Sequence, residues 1–139
     1  MRLLVCGDRN WTDHRLVIDT LDAIHAVTSI DVLIEGCARG ADRMAGAHPP
    51  EDAEMYPTID PGWAWVRRVP GAHYPAHWNE FRKAAGPIRN RQMLVEGLPD
   101  RVVAFHDDIA HSRGTADMLA RARAAGVPCT LVSHTAVVP

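Results

Sequence analysis

Asp31-Val32-Leu33-Ile34-Glu35-Gly36-Cys37-Ala38-Arg39-Gly40-Ala41-Asp42 is the stretch that decides how the rest of the chain reads. A short apolar run stops at a glycine, a turn rich in small residues and arginine follows, and Ala41 onward looks like the start of a helix. An apolar run of this kind suits a strand buried on both faces, as in a parallel sheet. The same grammar opens the chain, where Arg2–Cys6 is followed by Gly7-Asp8-Arg9-Asn10-Trp11. Three further runs have strand character: Ala72–Tyr74, which is weak and ends at Pro75, Arg101–His106, and Val127–Ser133 after Gly126.

Helical stretches fall between these runs. Thr12 or Asp13 is placed to cap a helix to about Val27, with Leu16, Ile18, Leu21, Ile24 and Ala26 as its buried stripe. Ala41–Ala47 starts a second helix, and Trp63–Val69 is either its continuation or a separate short one. Arg82–Glu96 contains Pro87, which is better tolerated near a helix start than inside it. Ser112 caps a helix from Arg113 to Ala125 that Gly126 ends. Strand and helix alternating in this way predict an α/β domain with right-handed crossovers. Residues 47–62 break the rhythm: they carry four prolines and four acidic residues without periodicity. They read as a loop insertion over one edge of the sheet, within a single domain spanning 1–139.

Composition narrows the function classes. The 139 residues are 47% hydrophobic and 23% charged with a net charge of -2, so neither wholesale disorder nor general nucleic-acid binding is expected. No apolar run approaches the roughly 20 residues that span a bilayer, and the opening apolar run is too short for a signal peptide. Cys6, Cys37 and Cys129 are odd in number and far apart, which reads as reduced thiols in a cytoplasmic protein. Of 15 basic residues 14 are Arg and only Lys83 is Lys. Codon bias explains such an excess, but Arg is also suited to bidentate recognition of phosphate or carboxylate, so position has to decide.

In an open parallel sheet, ligands bind outside the carboxyl ends of the strands. The segments there are Gly7–Trp11, Gly36–Asp42, Pro75–Trp78, and Asp107-Asp108 leading to Ser112-Arg113-Gly114-Thr115, with Gly86–Arg91 before the fourth strand. Glycine, arginine and small polar residues thus gather at one end, the composition of an anion pocket. The chain has no GxxxxGK[ST] and no GxGxxG, which argues against a P-loop NTPase and a standard dinucleotide fingerprint. There is no G-x-S-x-G nucleophile elbow. His73 and His77 are separated by Pro75, and His106, Asp107, Asp108 and His111 read as a polar loop, so no metal and no cofactor is expected. Trp63 and Trp65 read as packing residues, whereas Trp11 and Trp78 fall at the ligand end.

Read in order, Gly7–Trp11, Glu35-Gly36-x-Ala38-Arg39-Gly40-Ala41-Asp42, Pro75-Ala76-x-Trp78, Ala84-Ala85-Gly86-Pro87-Ile88-Arg89-Asn90-Arg91-x-Met93 and Ser112–Met118 resemble the YspA-like, cpYpsA-related family of the SLOG superfamily. That family is common in bacteria and their phages, and the resemblance covers nearly the whole chain apart from residues 47–62. It implies a Rossmann-like three-layer sandwich of about five parallel strands with helices on both faces. It also implies an intracellular protein that binds a nucleotide or an ADP-ribose-like derivative. Its distant relatives, the LONELY GUY phosphoribohydrolases, cleave the N-glycosidic bond of nucleoside monophosphates. Arg89-Asn90-Arg91-Gln92-Met93 is similar to their Arg-Lys-x-x-Met motif, and Ser112–Met118 occupies the place of their Pro-Gly-Gly-x-Gly-Thr-x-x-Glu motif. Their catalytic Glu falls on Met118, which is neither acid nor base.

The resemblance implies a phosphate cradle of Gly36, Arg39, Gly40, Arg89, Arg113, Gly114 and Thr115, with Gly7, Arg9, Asn90 and Ser112 beside it. Asp8 and Asp42 would contact ribose hydroxyls, and Trp11 or Trp78 would stack on a base. Two other functions fit the same residues. One is a nucleoside-monophosphate N-glycosidase, with Arg89 orienting phosphate and Asp117 or Asp42 as its carboxylate. The other is a non-catalytic regulatory or interaction protein of a phage or bacterium, with 47–62 as a contact surface. Homo-oligomerisation through helices beside the pocket is a property of SLOG relatives.

Overall fold

A computed structural model describes residues 1–50, 61–135 and 137–138. Among them, the strands β1 (Arg2–Gly7), β2 (Val32–Glu35), β3 (Gly71–His73), β4 (Arg101–Phe105), β5 (Cys129–Val132) and β6 (Val137–Val138) form one sheet in the order β3-β2-β1-β4-β5-β6. The first five are mutually parallel, and β6 pairs antiparallel to β5 at the edge. The five expected runs are therefore the five parallel strands, and β6 is an addition.

Helices cover both faces. On β1, Leu3 and Val5 point to one side and Leu4 and Cys6 to the other, as the period of a strand requires. The first side packs under α1 (His14–Val27), α2 (Ala41–Ala45) and α3 (Trp63–Arg67), where Val17, Leu21, Met44 and Trp63 are buried with Val103 and Phe105. The second packs under α5 (Ala85–Gly97) and α6 (Gly114–Ala124), where Met93, Met118, Leu119 and Ala122 meet Ile34, Val102 and Ala104. This is a Rossmann-like three-layer sandwich.

Local signals explain the boundaries. Asp13 caps α1 by accepting from the Leu16 amide at 3.0 Å. The deeply buried positions of α1 are Val17 and Leu21, one turn apart, while Leu16, Ile18 and Ile24 flank them. Ala26, expected in the stripe, is exposed, because five residues beyond Leu21 the helix has turned well away from that face. Trp63–Arg67 is a separate helix rather than a continuation of α2. A short helix, α4 (Trp78–Phe81), and a 3₁₀ turn at Arg82–Ala84 precede α5, and Pro87 lies in the first turn of α5. Ser112 Oγ accepts from the Thr115 amide at 3.1 Å, and Gly126 in a left-handed conformation follows α6. The three cysteines are unbridged. Most of the 47–62 insertion lies outside the described residues. Among those residues, no helix is long and apolar enough to cross a membrane.

Candidate functional site

The strand order reverses between β1 and β4, so the connections leaving their carboxyl ends part to opposite sides and leave a crevice. A cavity of about 520 Å³ lies there. Cys6, Gly7, Asp8 and Arg9 line it from β1 and the turn after it, Asp42 from α2, and His106 from the end of β4. Gly86, Arg89, Asn90 and Met93 of α5 form another wall, and Ser112, Arg113, Gly114, Thr115 and Asp117 line it at the start of α6. A second cavity of about 640 Å³ shares Arg9, Ala38, Trp78 and Arg89 with the first and adds Gly36, Cys37, Arg39 and Arg43.

Arg89 and Asn90 tie the two sides of this crevice together. Arg89 Nη1 donates to the Gly36 carbonyl at 2.6 Å, and its Nε donates to Asn90 Oδ1 at 3.1 Å. Asn90 is buried, and its Nδ2 donates to the Gly114 carbonyl at 3.1 Å and to Asp117 Oδ2 at 3.0 Å. Arg121 Nε donates to the same Asp117 oxygen at 2.8 Å. One hydrogen-bonded chain thus runs from the turn after β2, through the start of α5, to the first turn of α6. Neighbours on a helix point in different directions, which is how adjacent Arg89 and Asn90 reach opposite turns.

The turn after β2 is fixed from inside. Asp42 is buried, and its Oδ2 accepts from the amides of Gly36 at 3.0 Å and Ala38 at 3.3 Å. Burial, and then the nearby Glu35 charge, raise the Asp42 carboxyl to about 7, against the pull of Arg89 and the two amides. A Cβ on Gly36 would lie 2.2 Å from Arg89 Nη1, so the close approach of Arg89 requires a glycine. Gly40 has φ +73 and sits against the Asp8 carbonyl, which joins this turn to the one after β1. Burial, and then Asp42 and Cys129, push the Cys6 thiol at the crevice floor far above its ordinary value.

The expected site residues are distributed as follows. Gly7, Asp8, Arg9, Asp42, Trp78, Arg89, Asn90, Ser112, Arg113, Gly114, Thr115 and Asp117 line the first cavity. Gly36 and Arg39 line the second. Gly40 acts on the backbone beneath them. Trp11 lies elsewhere: its amide turns back to the Asp8 carbonyl at 3.0 Å, and its ring is buried against Phe105 and stacked on His134 at 4.8 Å. Trp78 is 48% exposed and borders both cavities. Of the arginines in the motifs, Arg9, Arg39, Arg89 and Arg113 reach one cavity or the other, whereas Arg91 is exposed on α5.

Lys83, His106 and His111 also line the first cavity, though they did not stand out in sequence as ligand contacts. The signal for His106 was its place directly after β4. His106 Nδ1 accepts from the Asp108 amide at 2.9 Å, and His111 Nδ1 lies 2.8 Å from Asp108 Oδ1. That bond to Asp108 raises the His111 imidazole above its usual value.

A second group of ionisable side chains was not legible at all. Glu35, at the end of β2, is fully buried. His73 Nδ1 hydrogen-bonds its Oε1, His48 Nε2 lies 3.0 Å from the same atom, and Cys37 Sγ lies 3.7 Å from it. The Cys37 amide donates to Glu35 Oε2 at 2.6 Å. Burial alone would raise the Glu35 carboxyl, but the hydrogen bonds from His48 and His73, with their charges, outweigh it and hold the carboxyl below the ordinary range. Burial and then Glu35 push the Cys37 thiol up to about 12. His73 meets Glu35 of β2 and the ring of His48 after α2.

A family model described as "YspA, cpYpsA-related SLOG family" matches residues 1–51. The match supports assignment to the YspA-like SLOG family. It spans β1, α1, β2 and α2, and so includes both glycine turns on the β1–β2 side of the crevice. No curated protein and no solved structure matches the chain significantly.

Proposed function

We propose that the crevice between β1 and β4 binds a nucleotide or a nucleotide derivative of the ADP-ribose kind. The observation that carries this is the convergence of Arg9, Lys83, Arg89 and Arg113 with the first turn of α6 on one cavity of about 520 Å³ at the switch point of the sheet. Cationic side chains and a helix N-terminus together favour a phosphate group. The volume lies in the range of small-ligand sites. In this reading Arg89 and Arg113 hold phosphate, the Gly114 backbone approaches it, Asp8 meets ribose hydroxyls, and Trp78 stacks on the base.

Binding is better supported than N-glycosidic cleavage. Met118, which stands where the LONELY GUY motif has its catalytic Glu, is fully buried under the sheet. Asp117 lines the cavity, but Asn90 and Arg121 both donate to its Oδ2. Asp42 is committed to the Gly36 and Ala38 amides.

Thermal unfolding in the presence of AMP, ADP and ADP-ribose tests the reading. A ligand at 100 times its Kd stabilises by about 2.7 kcal/mol. Arg89→Lys keeps the charge but loses the planar fork, and is expected to weaken binding about tenfold while the protein stays folded. A flat response to all three compounds at millimolar concentration would overturn the proposal.

A further inference from the structure

We propose that Glu35, Cys37, His48 and His73 form a site for a divalent transition-metal ion of the zinc class. Their four ligand atoms, one oxygen, one sulfur and two imidazole nitrogens, all lie within 4.8 Å of one another. This donor set suits zinc, whereas magnesium and calcium take oxygen ligands.

The fold brings the donors together from three chain segments. Glu35 and His73 are the last residues of the adjacent strands β2 and β3, paired in register, so their side chains leave the sheet on the same side. Cys37 has φ 60, a left-handed conformation that is uncommon outside glycine, and its sulfur lies 3.7 Å from Glu35 Oε1. His48 follows α2 and closes the group from above, its ring centroid 4.7 Å from that of His73. Two imidazoles and a thiol therefore converge on one oxygen of a fully buried carboxylate. Small inward movements of these side chains give the tetrahedral separations that zinc requires. Cys37 also lines the second cavity, which gives a hydrated ion a path to the sulfur.

Charge and protons balance. Zinc replaces the hydrogen bonds that now join the imidazoles to Glu35: the ring proton moves, by exchange with solvent, from the ligating nitrogen (His48 Nε2, His73 Nδ1) to the other one, so each ligating imidazole is neutral with a single proton. Cys37 ligates as the thiolate, its proton passing to solvent. With Glu35 and Cys37 both anionic, a dication yields a neutral cluster. His48 Nδ1 lies 2.5 Å from Arg43 Nη1, and ligation through Nε2 makes Arg43 give up that contact. Arg43 then faces a neutral group instead of a bare dication. None of the four residues lines the cavity of about 520 Å³ proposed for the nucleotide, so the metal test does not depend on nucleotide binding.

The experiment is titration of the metal-stripped full chain with Zn²⁺ against a chromophoric chelator, repeated with Co²⁺ in the spectrometer. One equivalent of Zn²⁺ is expected to bind. Co²⁺ should give the visible bands of a four-coordinate ion and a thiolate charge-transfer band. Cys37→Ser should abolish the charge-transfer band, and His73→Asn should weaken Zn²⁺ binding by at least about tenfold, the lower end of what even outer-shell ligand partners contribute. His73 is partly exposed and Cys37 half-buried, so the two variants give independent chances of a folded test protein. Absence of stoichiometric Zn²⁺ binding by the wild-type chain, or binding unchanged in both variants, would overturn the proposal and leave the cluster as a hydrogen-bonded core.

Discussion

The turn from β2 into α2 and the turn into α6 look alike in sequence: both combine glycine and arginine just before a helix at the same end of the sheet. They are built in opposite ways. In the first, Gly36 makes room for Arg89, Gly40 holds a positive φ against the Asp8 carbonyl, and buried Asp42 gathers two amides. In the second, a Cβ on Gly114 would meet no atom within 4 Å beyond its own stretch of chain, and Ser112 caps from a half-exposed position. One glycine turn is spent on the fold, and the other leaves open space at the mouth of a cavity. Alanine separates them most sharply. Gly40→Ala places a Cβ 2.3 Å from a backbone oxygen in a strained conformation, and the expected loss is about 3 kcal/mol or more in a denaturant melt. Gly114→Ala should leave stability unchanged or raise it by about 0.5–1 kcal/mol, while weakening nucleotide binding. Equal losses from the two would erase the distinction.

The polar groups that hold the turns give a smaller contrast. Asp42→Ala leaves the Gly36 and Ala38 amides without their acceptor in a buried setting, and an expected cost of about 1–3 kcal/mol follows from the unmet hydrogen bonds. Ser112→Ala removes one cap at a half-exposed helix start, with an expected cost of about 1 kcal/mol. Urea midpoints of the two variants at the same pH measure the difference. A Ser112→Ala loss matching that of Asp42→Ala would mean that the outer turn is as tightly determined as the inner one.

What was legible in sequence follows from the same physics. Apolar runs carry enough signal for the five parallel strands, weakest for β3, which is exposed at both ends. Of Thr12 and Asp13 it is Asp13 that caps α1, and Ser112 accepts from the Thr115 amide just before α6, both legible because capping is local. Strand β6 was missed because two residues have no period, and α4 because four residues show no stripe. Trp11 was misplaced for a different reason. It lies four residues after β1, where ligand residues gather, but the chain folds back through the Asp8 carbonyl and buries the ring on Phe105. The Glu35, Cys37, His48 and His73 cluster has irregular spacing, and only the pairing of β2 with β3 and the path after α2 bring it together. Arg89 was legible from its motif, whereas its bond to the Gly36 carbonyl needed the fold.

The smallest expected effect lies where the segments after β4 and β5 meet the start of α1, held by charges open to solvent rather than buried ones. His134 Nδ1 lies 2.6 Å from Asp107 Oδ2 and its Nε2 lies 2.7 Å from Asp13 Oδ2, while its ring stacks on Trp11. The bond to Asp107, then that to Asp13, raise the His134 imidazole above the ordinary histidine value. A folded-state value above the unfolded one means that the bridge stabilises fully below the ordinary histidine range and fades as pH rises through the folded-state value. An NMR titration of the His134 ring should therefore show a midpoint above that of a free histidine, and Asp107→Asn should move it back down. Because both ion pairs face solvent, added salt should lower the midpoint as well, a response that the buried Asp42 contacts of the inner turn would not share. A His134 midpoint at the free-histidine value would remove the side-chain bridge and leave the ring stack on Trp11 and the His134 amide's bond to Asp107 Oδ1 as contacts of this segment.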